Sequence, residues 1–223
     1  MNIRFLFWSI LGVLLLNACK KDVVDYSKRE IGISYVNQSL HYTFLYQVQE
    51  IIYDDFFNTI DTFNYQILER NDTLFYDNLN QTVLRIERYK RNKDSSLWHY
   101  HETVSSRIDQ YKYERNENNT KKVKLSFPIT FETIWNANTF NSNNNTLVYY
   151  SEINAKKKIN NQSYDSVLVI KSDAVFNSVG EKYYEELYAK QIGLIYSNII
   201  FVEKSNNKTR GYKIKYTLLN HGF

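Results

Sequence analysis

Few side chains in this sequence are of a type and spacing that could do chemistry. His99-Tyr100-His101 sets two imidazoles two residues apart, which on a strand puts both on one face and turns Glu102 away. A zinc site needs three or four ligands, and His41 and His221 lie far off in the chain, so the pair reads as surface histidines and no metal is expected. Asp54-Asp55 and Glu185-Glu186 are adjacent carboxylates. Strand neighbours face opposite sides, so adjacency builds no acid/base dyad, and solvated charge is the expectation. G-x-S-x-G, H-E-x-x-H and a phosphate-cradling glycine loop are missing from the sequence. Six glycines in 223 residues leave little backbone for the close approaches a cofactor needs, so no cofactor is expected.

Cys19 is the single cysteine. It follows Arg4, the apolar run from Phe5 to Leu16, and Asn17-Ala18, the three-part layout of a secretory signal. The run falls short of the ~20 residues a helix needs to span a bilayer. Leu16-Asn17-Ala18-Cys19 resembles the lipobox of bacterial lipoproteins, in which the Cys is acylated and becomes the new N-terminus. The resemblance implies a signal peptide over 1–18, lipidation at Cys19 and membrane attachment through that lipid. An alkylated sulfur is lost to nucleophilic, metal or disulfide chemistry. The polar stretch to Glu30 reads as a tether over 19–30, leaving one domain over 31–223. Lys20 at the second position implies, by likeness to lipoprotein sorting rules, the outer membrane, facing the periplasm or the surface.

The formal charge of +4, one unit of it Arg4, comes without a basic stripe, which together with export argues against nucleic acid. The one basic triplet, Lys156-Lys157-Lys158, reads as a solvated turn. Aromatics make up 16% of the chain, led by 20 Tyr and 13 Phe, a bias toward strands. With one Pro and six Gly, the turns fall to Asn and Asp, clustered at 116–119, 141–145, 160–161 and 206–207.

Alternation of apolar and polar residues marks strands at 42–50, 122–129 and 212–218. Further strands are expected at 63–69, 73–76, 83–89, 97–104, 110–115, 147–153, 166–171 and 193–203, with hairpins joining 83–89 to 97–104 and 147–153 to 166–171. The stretch 179–190 fits a helix or a strand equally, since Tyr183 with Leu187 and Tyr184 with Tyr188 are four apart. The fold class is mainly β: one antiparallel-sheet domain built as a half-barrel, barrel or sandwich, with at most one or two short helices.

Lys124-Leu125-Ser126-Phe127-Pro128, then Trp135-Asn136-Ala137-Asn138, then Tyr188-Ala189-Lys190-Gln191-Ile192-Gly193-Leu194-Ile195-Tyr196 resemble, in order, elements of a group of Bacteroidetes-type lipoproteins. The match runs over roughly 40–205 and departs at Gln191, where the group usually has Gly. The ending is similar to that of exported β-proteins with an unclosed barrel, of the shape of the lipoprotein carrier LolA. That likeness implies an apolar concave face and, by analogy, an apolar ligand.

The expected function is that of a membrane-anchored exported lipoprotein, not an enzyme, that binds an apolar small molecule or an envelope protein. The alternatives are a structural module of the envelope and, third, a glycan hydrolase with carboxylates spread along the chain. Trp135, Asn136 and Asn138, with Tyr184 and Tyr188, are the candidate ligand-binding residues. Trp135 reads either as a stacking platform or as a plug over the sheet end. Asp72-Thr73-Leu74 and Asp165-Ser166-Val167 resemble short O-glycosylation sites of exported proteins.

Overall fold

Side chains of a strand alternate between faces, so segments rich in Tyr, Phe, Ile, Val and Thr must pair with neighbours to bury one face and satisfy their backbone. The computed structural model describes residues 31–94, 96–206 and 208–223. The expected signal peptide, Cys19 and tether lie outside the described residues. Thirteen strands follow one another: β1 (Thr43–Asp54), β2 (Thr59–Tyr76), β3 (Thr82–Arg91), β4 (His99–Ile108), β5 (Lys112–Glu117), β6 (Thr120–Ser126), β7 (Ile134–Asn136), β8 (Leu147–Ile159), β9 (Gln162–Lys171), β10 (Val175–Asn177), β11 (Gly180–Ala189), β12 (Gly193–Ser205) and β13 (Lys208–Gly222). One 3₁₀ turn, Ile33–Tyr35, is the helical element among the described residues.

All thirteen strands join one antiparallel sheet in the order β6-β5-β4-β3-β2-β1-β13-β12-β11-β9-β8-β7, with β10 pairing β11. Its two ends meet: the Val123 N–H donates to the Ala137 carbonyl at 2.9 Å, and Trp135 Nε1 donates to the Val123 carbonyl at 3.0 Å. The sheet is therefore nearly closed into a barrel, one of the expected architectures.

Where asparagines cluster, the chain turns. Asn118-Asn119 (φ 49 and 56), Asn160-Asn161 (φ 47 and 65) and Asn206 (φ 49) occupy the left-handed region that two-residue hairpins require. Ile159 pairs with Gln162, so the β8–β9 turn is Asn160-Asn161 alone. This corrects the expectation for Lys156-Lys157-Lys158, which lies inside β8 and not in a turn. The stretch 179–190 is strand β11: hydrogen-bonding to β9 on one side and β12 on the other satisfies more backbone than an isolated helix would. The segments 63–69 and 73–76 are one strand, β2, broken by a bulge at Asn71/Thr73. There the buried Asn71 amide donates to the Asn37 and Ser39 carbonyls at 3.2 and 2.9 Å. Two short strands, β7 and β10, are additions to the expected set.

Two apolar clusters form the main core. Leu168 and Ile170 of β9 belong to one, while Val167 and Val169 belong to the other, so this strand is buried on both faces. At Gly211 (φ 126) a Cβ would meet the Phe201 carbonyl oxygen at 2.0 Å, so only glycine allows β12 and β13 this close.

Candidate functional site

Several strands carry apolar residues at two-residue spacing that run into charge on the same face. Tyr65-Ile67-Glu69 lies on β2, Leu84-Ile86-Arg88 on β3, Tyr113-Arg115-Glu117 on β5 and Tyr184-Glu186-Tyr188 on β11. Closing the barrel brings these charged ends together inside it. Glu69 Oε1 accepts from Arg88 Nε at 2.7 Å and from Arg115 Nη2 at 2.8 Å. Glu117 Oε1 accepts from the same two guanidiniums at 3.0 and 2.8 Å, and Glu102 Oε1 accepts from Arg88 Nη1 at 2.8 Å. On the adjoining wall, Lys124 Nζ of β6 donates to Glu186 Oε1 of β11 at 2.6 Å, a link between strands that are not sheet neighbours. Tyr188 donates to the other Glu186 oxygen at 2.8 Å.

Burial opposes the charge on Glu69, but Arg115 and Arg88 outweigh it and hold its carboxyl below the usual carboxylate range. Burial likewise opposes the charges of Arg88 and Lys124, and the facing carboxylates lift both above their ordinary values. Lys122 behaves in the opposite way. Burial, and then Lys124, push its ammonium down, and the opposing pull of Glu117 and Glu186 does not reverse this. Lys122 is the cross-strand partner of Arg115 and so shares its inward face. Among the described residues its Nζ makes no hydrogen bond, ion pair or ring contact.

All of these charged residues except Arg115 line a chamber of about 410 Å³, together with Tyr46, Tyr65 and Tyr216. Burial pushes the Tyr216 hydroxyl up to about 12. A groove of about 650 Å³ adjoins it, with an apolar wall of Tyr183, Tyr184, Ile199, Phe201 and Tyr212 and a polar rim of Asn138, the loop Ser142 to Thr146, Ser172 and Asp173. Lys122, Ile199 and Tyr212 line both spaces, so chamber and groove meet there. The groove falls within the ~300–1,000 Å³ range of small-molecule sites, which are apolar with a few placed polar groups.

Of the five candidate ligand-binding residues, Asn138 and Tyr184 line this groove. Trp135 is 9% exposed, its ring 4.9 Å from that of Tyr150 and its Nε1 bonded to backbone, which is the geometry of a plug. Asn136 organises the loop: its Oδ1 accepts from the Asn138 and Thr146 N–H groups at 3.0 and 2.9 Å. Tyr188, 2% exposed, sits in the core against Glu186. The expectation of solvated charge at Glu185-Glu186 is corrected for Glu186, which is 1% exposed and paired with Lys124. Asp54 has an exposed structural task, accepting from the Phe56 and Phe57 N–H groups at 2.8 and 3.0 Å. His99 and His101 are exposed. The Ser166 hydroxyl is engaged by Asn154 and Tyr35, whereas Thr73 is exposed.

The charged chamber was missed in the sequence. The usable signal was a charged residue continuing a two-residue apolar register, as Arg88 continues Leu84 and Ile86. Alternation alone makes Lys122-Val123-Lys124 a half-exposed strand, yet Lys124 is buried as deeply as Val123.

No family model matches the chain, and neither does any curated protein. Two solved structures are similar to it. One is a protein of Bacteroides fragilis NCTC 9343 described as exported and as having a YmcC-like fold, with a TM-score of 0.44 and 7% identity over 82% of this chain and 98% of that one. The other is a protein of Parabacteroides distasonis ATCC 8503 described as a lipoprotein, with a TM-score of 0.41 and 11% identity over 84% of this chain and 98% of that one.

Proposed function

We propose that this chain is an exported lipoprotein, anchored to the outer membrane through lipid on Cys19, whose barrel binds an apolar small molecule without transforming it. The observation that carries the binding reading is the groove: beside the charged chamber, an aromatic and aliphatic wall borders an open space of about 650 Å³. A non-catalytic role is supported by the state of the interior carboxylates. Glu69, Glu102 and Glu117 are held by Arg88 and Arg115, and Glu186 by Lys124 and Tyr188. A general acid or base needs a carboxyl free to exchange its proton with a substrate; Glu69 and Glu117 are held as anions by the guanidiniums, and the oxygens of Glu186 are taken by Lys124 and Tyr188. Support for the anchor comes from Leu16-Asn17-Ala18-Cys19 behind an apolar run.

The test is to purify the full chain from membranes, wash it, extract it with organic solvent and analyse both fractions by mass spectrometry. Expected are a diacylglyceryl-modified Cys19 on the protein and a near-stoichiometric apolar molecule in the extract. A free Cys19 thiol would overturn the anchor. An empty extract, together with no uptake of any added long-chain molecule, would leave a structural envelope module instead.

A further inference from the structure

Closing the barrel sorts its interior charges into pairs, and one cation is left over. Arg88 and Arg115 share Glu69 and Glu117, and Lys124 is taken by Glu186. Lys90 lies against the Tyr65 ring at 3.7 Å and Lys182 against the Phe201 ring at 5.0 Å. Lys122 has no such partner among the described residues, although it stands on the inward face beside Arg115. Glu117 and Glu186 favour its charge without pairing with it, and burial outweighs them. An ammonium drawn out of bulk water with no carboxylate at ion-pair distance is a costly arrangement, retained only where something offsets it. Water from the open groove offsets part; an anion would offset more.

Position narrows the choice of anion. Lys122 sits where the charged chamber opens into the groove, and the groove wall running away from it is Tyr184, Ile199, Phe201 and Tyr212. The charged residues lining the groove are Lys122, Lys182 and Asp173, so the groove itself favours negative charge by one unit. A small inorganic anion would use the lysine and leave the apolar wall wet. A neutral hydrocarbon would use the wall and leave the lysine unpaired. A molecule with an anionic head and a hydrocarbon tail satisfies both.

We infer that the ligand is an anionic amphiphile, a carboxylate- or phosphate-headed chain, whose head pairs with Lys122 and whose tail lies along Tyr184, Ile199, Phe201 and Tyr212. This inference rests on the binding role proposed above and adds the chemical class and the anchoring residue. Carboxylate and phosphate heads share the same recognition by an ammonium, and the probes separate them.

The experiment uses the processed full chain in a non-ionic detergent and native mass spectrometry with four probes: hexadecanoate, hexadecyl phosphate, hexadecanol and inorganic phosphate. At least one of the two anionic chains is expected to bind ~10-fold or more tightly than hexadecanol, the range of a hydrogen bond to a charged group. Lys122→Met should remove that preference while keeping hexadecanol binding, and Lys122→Arg should retain it. Ile199→Trp, which fills the groove, should weaken all three chains. Lys122→Met removes a buried charge that has no ion-pair partner among the described residues, so its melting temperature should not fall, and this separates a binding loss from unfolding. Equal binding of hexadecanol and both anions, or an unchanged preference in Lys122→Met, would overturn the inference and leave the binding role standing. Inorganic phosphate binding as tightly as the chains would overturn the amphiphile. Failure of all three chains would remove the binding role itself.

Discussion

Beneath β8, β9 and β11 the barrel interior is filled by Val148, Tyr150, Leu168 and Ile170, whereas beneath β2 to β5 the same inward register carries Glu69, Arg88, Arg115 and Glu117. The first region excludes water by packing, each buried methylene contributing on the order of 0.8 kcal/mol. The second satisfies its buried groups by pairing, with Glu69 and Glu117 each shared between two guanidiniums and each guanidinium held at more than one edge. The contrast teaches that burial in this fold is set by barrel closure and not by hydrophobicity. The inward face of the charged half is still solved for satisfaction of its groups, and a mutation fails there for a different reason than in the apolar half.

The comparison breaks most visibly at Glu69. Glu69→Ala takes from Arg88 and Arg115 the more deeply buried of the two carboxylates they share, and a loss of about 3–5 kcal/mol is expected in urea unfolding. A loss below ~1 kcal/mol would mean that water already serves the two guanidiniums and that the charged half is not a core. In the apolar half, Leu168→Ala should cost about 2–5 kcal/mol through lost burial and the cavity left behind. If the two variants are additive, the halves are independent; coupling above ~0.5 kcal/mol would show that they form one unit.

Acid sharpens the same contrast. Glu69 titrates below its ordinary value in the folded chain, so its contribution is complete above about 4.5 and disappears as pH falls through the depressed folded value. Melting temperature should therefore drop from about pH 4.5 downward. The Glu69→Gln variant, less stable at neutral pH, should show a shallower drop over that window. An identical slope in both would place the acid sensitivity elsewhere.

The smallest effect is expected where one chemistry is exchanged for the other. Lys124→Met or Glu186→Leu alone strands a buried charge, but the double substitution turns the pair into packing. It leaves the Tyr188 hydroxyl short of its acceptor, worth about 1 kcal/mol, so the double variant should lie within ~2 kcal/mol of the parent. A double variant as unstable as either single one would show that this site requires charge for its shape.

The sequence carried much of the sheet. Alternation located β1, β6 and β13, and asparagine supplied the left-handed turn positions that so few glycines could not. Gln191 adopts φ 65, a backbone state that glycine enters without strain, so the glutamine itself gave no sign of the turn before Gly193. The stretch 179–190 stayed open between helix and strand because Tyr183, Tyr184, Leu187 and Tyr188 satisfy both periods; pairing with β9 and β12 decided it. Of the groove, Tyr184 and Asn138 were legible as aromatic and loop-borne polar residues. Lys122, Ile199, Phe201 and Tyr212 were not, since β6 lies far in the chain from the β12–β13 hairpin and only barrel closure brings them together.

By itself the sequence determined which segments extend, where the chain reverses, and which residues of a strand share a face. Those are local matters, governed by φ/ψ preference and a period of two. Tertiary structure alone decided what each face meets. Because β6 and β7 come together at Val123, Trp135 and Ala137, a polar face that would otherwise be solvated is turned inward, Glu186 finds Lys124, and Lys122 is left at the mouth of the groove with no ion-pair partner among the described residues. The sign and partner of a buried charge depend on strands that meet only when the barrel closes, and no pattern within one strand contains that information.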